Sequence, residues 1–89
     1  MNKEENFIAR VREERMLQRR IWGDVHDSRH SWMEWAALLG TYLGRYSDAA
    51  RDGRGIYWKG EPYDITNAEL METALVKLGA LALACYERI

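Results

Sequence analysis

Apolar side chains recur along this chain at helical spacing in three stretches, and each opens with a helix-start signal. In the central one, Trp32, Trp35, Ala36, Leu39, Tyr42, Leu43, Tyr46, Ala49 and Ala50 fall on the i, i+3, i+4, i+7 pattern of one buried helical face. Ser31 followed by Glu34 is a capping box, in which each side chain satisfies an orphan backbone N–H, so a helix is predicted from Trp32. Gly40 and Gly44 remove two side chains from neighbouring turns beside Arg45. They predict a notch that another backbone or a ligand can approach closely.

Before it, Asn2 and Glu5 form a similar start, and Phe7, Ile8, Val11, Leu17 and Ile21 make a seam. A first helix is therefore predicted from Lys3 to Ile21, ended by Gly23 as glycine ends helices at C′. Its outer face carries five arginines between Arg10 and Arg20 against Glu13 and Glu14. Most such clusters are solvated surfaces with weak intrahelical pairs, but Arg19 or Arg20 near the helix end has the reach and charge to hold a phosphate. The connection from Asp24 to His30 places His26, Asp27 and His30 close together, which invites a metal reading. A loop lacks fixed ligand geometry and no further Cys or His completes a site, so a hydrogen-bonded structural loop is the expectation and no metal is assigned.

After the central helix, Arg51 to Ile65 contains three glycines, the one proline, and Ile56, Tyr57, Trp58 and Tyr63. A loop this long is usually functional, and it reads as an aromatic arm packing on a neighbouring subunit or as a lid over a ligand. Thr66 and Glu69 then open a last helix at Asn67 that runs to the C-terminus. From Ala74 to Tyr86 it is apolar on every face but for Lys77, which predicts burial all round against its own chain and a second subunit. A buried ammonium there needs a carboxylate, carbonyls or an anionic ligand, unless its stem carries it to the surface.

Composition narrows this picture to one domain over residues 1–89. So short a chain is close to the lower limit for a self-sufficient core. Four Trp and five Tyr supply more apolar surface than one thin helical layer hides, which favours a homo-oligomer or a buried ligand. A net charge of −1 gives no general attraction to nucleic acid or anionic membrane, and no recognition motif for nucleic acid is visible. One cysteine, Cys85, no apolar run of membrane-spanning length and no signal-peptide pattern make a reducing cytoplasm the expected compartment.

The order of features resembles a known family. Gln18-Arg-Arg-Ile-Trp-Gly23, then His26, then Trp35-Ala-Ala-Leu-Leu-Gly-Thr-Tyr-Leu-Gly44, and lastly the run from Ala74 to Glu87, are similar to short MazG-like proteins of phages, members of the all-α nucleotide pyrophosphohydrolases. The similarity covers about residues 15 to 89. It implies an all-α, three-helix MazG-like bundle that assembles into oligomers. The family's metal-binding acids fall on Thr41, Tyr42, Arg45, Ala74 and Lys77, and none of these positions keeps a carboxylate. Hard oxygen donors are what magnesium requires, so the resemblance implies the fold without the hydrolytic metal centre. Glu34, Asp48, Glu69 and Glu72 would have to rebuild one for hydrolysis to persist.

Two of those acids have become Arg45 and Lys77, which the family fold would point into one cavity. Such cations pair with phosphate directly by charge-assisted hydrogen bonds. The expectation is a nucleotide-type ligand, bound without cofactor or turnover, with Arg45, Lys77, Arg19 and His26 as polar contacts and Tyr42, Tyr46, Trp22 and Trp35 as stacking surfaces. A phage sponge for a nucleotide or cyclic-nucleotide signal is one form of this. A helical module that binds another protein is the alternative.

Overall fold

The computed structural model describes the backbone of residues 2–52 and 65–89, with the side chains of all of these except 24–28, 52 and 65–67. It is all-helical: α1 spans Lys3–Ser28, α2 Trp32–Asp52 and α3 Ile65–Tyr86. Among the described residues there is no strand. The helix α3 is the central element, packing on α2 along one side and on α1 along the other. The aromatic segment 53–64, read as arm or lid, lies outside the described residues.

Local chemistry sets the helix starts. Ser31 N–H donates to Glu34 Oε1 at 3.0 Å and Glu34 N–H to Ser31 Oγ at 3.1 Å, the reciprocal pair expected at the α2 N-terminus. At α1, Glu5 N–H donates to Asn2 Oδ1 at 2.8 Å. α3 begins at Ile65, two residues before Asn67, and the side chain of the expected cap, Thr66, is not described.

Gly23 breaks α1 without ending it. Its φ of 76° and ψ of 166° lie in a region that only glycine enters readily, and helical turns resume to Ser28. The expected loop from Asp24 to His30 thus shrinks to a short turn before Ser31. Nothing but the side-chain-free residue at 23 was needed to redirect the chain, and the residues after it are free to coil again.

The core forms where Trp35, 1% exposed, meets Leu81 and Ala84, with Leu38, Leu39, Tyr42 and Cys85 around them. His30 caps the indole edge-on, its ring centroid 5.1 Å away at an interplanar angle of 75°. The buried stripe of α2 is rotated from the expected one: Trp32 and Leu43 are exposed, whereas Leu38 packs inward. The wide apolar face offered two edges, and contact with α3 selected one.

The seam of α1 also differs. Phe7, Ile8, Leu17 and Ile21 are all substantially exposed, and among the described side chains of this helix the buried ones are Arg15 and Gln18. Close approach to α3 occurs higher up, at Gly79, where an added Cβ would sit 3.0 Å from Val11 Cγ2 and 3.3 Å from Phe7 Cζ. At Gly40 and Gly44 a Cβ would meet nothing within 4 Å, so no element of this chain fills that notch among the described residues. Within the chain, Ala74, Val76, Ala80, Leu81 and Ala84 of α3 are covered, while Leu75 and Leu83 are more than a third exposed. Among the described residues, no helix is long and apolar enough to cross a membrane.

Candidate functional site

A pocket of about 350 Å³ opens between α2 and α3. Tyr42, Arg45, Asp48 and Ala49 line it from α2; Leu70, Thr73, Ala74 and Lys77 line it from α3. Steps of three and four residues put each set on one face of its helix, so the two helices present parallel rows across the gap. Arg45 and Lys77, 32 positions apart by their numbers, are thereby brought to one concavity.

Within the pocket the cations are held differently. The guanidinium carbon of Arg45 lies 4.5 Å from the centroid of the Tyr42 ring, a cation–π contact that covers one ring face. Tyr42 therefore acts first as a seat for Arg45. Lys77 is half-buried and has no ion-pair partner among the described residues. It lines the pocket. Asp48 is the pocket's one acid, and its Oδ1 accepts a hydrogen bond from Arg51 at 2.9 Å. That exposed pair is screened by water, but it directs the carboxylate toward a cation outside the lining.

The other expected contacts do not gather here. Trp35 is sealed in the core, so its faces are closed to a ligand. Arg19 is drawn away to the C-terminal turn, where its guanidinium donates to Glu87 Oε2 at 2.6 Å. Trp22 is half exposed on α1 beside the Gly23 break, and Tyr46 is half-buried on α2 without lining the pocket. The His26 side chain lies outside the described residues, as does that of Asp27. Among the described residues no group of three potential metal ligands converges.

Leu70 and Thr73 are site residues that sequence reasoning passed over. Their signal was present: they precede Lys77 by seven and four positions, the same helical stripe. Thr73 adds a hydroxyl that both donates and accepts, and Leu70, Ala49 and Ala74 add apolar wall. The result is a half-open, mostly apolar cleft lined by two cations, two hydroxyls and one carboxylate, suited to a ligand that joins a flat apolar body to an anion. No protein-family model matches the chain, and no curated protein or solved structure gives a match.

Proposed function

We propose that this protein binds a nucleotide or cyclic nucleotide without hydrolysing it, as an oligomer of a degenerate MazG-like fold in the cytoplasm. The observation that carries the reading is the shared pocket of Arg45, Lys77 and Tyr42. At the positions where the resembled family holds magnesium, the side chains are a cation pair, an aromatic ring and two small residues. Phosphate then meets its counter-charge on the protein itself. Sequestration of a signalling nucleotide, as a phage would need against a host defence, is the role such a stoichiometric binder fills.

The direct test is thermal stability of the purified protein against mononucleotides, cyclic di- and trinucleotides and ADP-ribose derivatives, with and without magnesium. A ligand at 100 times its Kd adds about 2.7 kcal/mol, several degrees for a domain of this size. A magnesium-independent shift, with ligand recovered intact, is expected. Arg45→Glu and Lys77→Glu should each abolish it while the circular dichroism stays helical, since neither side chain is in the core. Release of pyrophosphate or phosphate would instead show an active hydrolase.

A second reading draws on the exposed apolar side chains Met16, Ile21, Trp22 and Leu43. Surface of that kind suits a protein partner or a second copy. A helical interaction module predicts no response to any nucleotide, together with a stable complex between proteins.

A further inference from the structure

A second pocket, of about 340 Å³, lies on the α1 side of α3, and Thr73 and Lys77 line both it and the first. These two residues are one helical turn apart, so they form a low ridge that a single ligand can cross. The apolar part of the second pocket's lining is Leu17 and Val76. Its α1 wall carries charges of both signs. Arg10 is partly committed, its guanidinium 3.4 Å from Glu72 Oε2. Glu13, Glu14 and Arg20 have no ion-pair partner among the described residues, and Glu14 is half-buried.

That wall has a definite complement. A carboxylate only accepts hydrogen bonds, and a guanidinium only donates them. Among the nucleobases, guanine offers two adjacent donors, N1–H and N2–H, that one carboxylate accepts as a fork. It also offers the acceptors O6 and N7, the pair that arginine recognises most often. Adenine places a lone pair at N1, where the carboxylate would need a proton. The apolar lining receives the ring, and Lys77 stands on the ridge where the phosphate would pass toward Arg45.

We propose that this second pocket reads the base, with Glu14 and Arg20 selecting guanine nucleotides over adenine nucleotides. The inference rests on the nucleotide reading above and adds the identity of the base. Calorimetric titration of the full chain with GTP, ITP and ATP, and with cyclic di-GMP against cyclic di-AMP, tests it at fixed salt. The guanine ligand should bind at least about tenfold more tightly than its adenine counterpart, with ITP, which lacks the 2-amino group, between GTP and ATP. E14Q should narrow the guanine preference to about twofold, because the amide turns a donor toward the base. Equal affinity for guanine and adenine ligands, ITP equal to GTP, or a preference that survives E14Q would overturn the base assignment and leave nucleotide binding intact. Binding of none of these ligands would overturn both.

Discussion

Arg15 Nε donates to Glu87 Oε1 at 2.9 Å, while Arg19 donates to the other oxygen of the same carboxylate. One acid in the turn after α3 thereby fastens two successive turns of α1. The Arg15 side chain is only 3% exposed and that of Glu87 about a third, so solvent screens the pair incompletely. Removing one partner of such a pair leaves a charge without its counter-ion, which costs more than the pair contributes. Glu87→Ala should cost about 2 kcal/mol after allowance for the exposure of Glu87, lowering Tm by roughly 8–16 °C. Arg19→Ala, at the exposed arm, should cost less than about 1 kcal/mol. Chemical denaturation of both variants checks the ratio, and equal effects would contradict the distinction.

The glycines among the described residues divide into three kinds, and alanine at each gives a different outcome. At Gly23 the backbone conformation excludes a side chain, so Gly23→Ala should destabilise by about 1–3 kcal/mol. At Gly79 the gain in helix propensity, about 1 kcal/mol, opposes a 3.0 Å approach to the stiff Val11, so Gly79→Ala should be near neutral and Gly79→Leu strongly destabilising. At Gly40 and Gly44 a Cβ enters open space, and each alanine should stabilise by about 0.5–1 kcal/mol. Destabilisation at these last two would instead reveal another chain seated in the notch.

Short-range chemistry was the legible part of this fold. The Ser31–Glu34 box and the Asn2 cap involve partners three residues apart, and the break at Gly23 depends on one residue alone. What could not be read was which polar residues would be buried. Arg15 belongs to a cluster that looks like solvated surface, yet its partner is 72 residues away, beyond any periodicity. The α2 stripe was wide enough to offer two edges, and only α3 decides between Leu38 and Leu43. Arg45 and Lys77 were picked out by their type and position, whereas the contribution of Leu70 and Thr73 needed both helices in place.

Tyr42 should influence ligand binding through Arg45 more than by stacking. With the guanidinium 4.5 Å from the ring centroid, an exposed cation–π contact contributes about 0.5–1 kcal/mol to holding Arg45 over the pocket. Tyr42→Leu should therefore weaken nucleotide binding by roughly two- to fivefold. Tyr42→Phe keeps the ring face and should remain within about twofold of the parent. If the phenylalanine variant loses as much as the leucine one, the hydroxyl rather than the ring would be the contact, and titration with one nucleotide separates the two.

The acid limb of the stability curve should report the α2 cap. Hydrogen bonds from the Ser31 backbone N–H, then from its hydroxyl, with His30 adding to them, hold the Glu34 carboxyl below its ordinary range. A group whose folded pKa is depressed binds fewer protons in the folded state than in the unfolded one. Its contribution is therefore complete above the unfolded pKa and lost as pH falls through the folded value. Between about pH 5 and pH 3, Tm should fall in the parent protein, and Glu34→Gln should flatten part of that fall by removing the titrating group. The protection of the Ser31 amide relative to its intrinsic exchange rate should fall over the same interval, because its N–H loses the carboxylate that accepts it. Identical acid profiles for parent and variant would assign the pH dependence to groups other than Glu34.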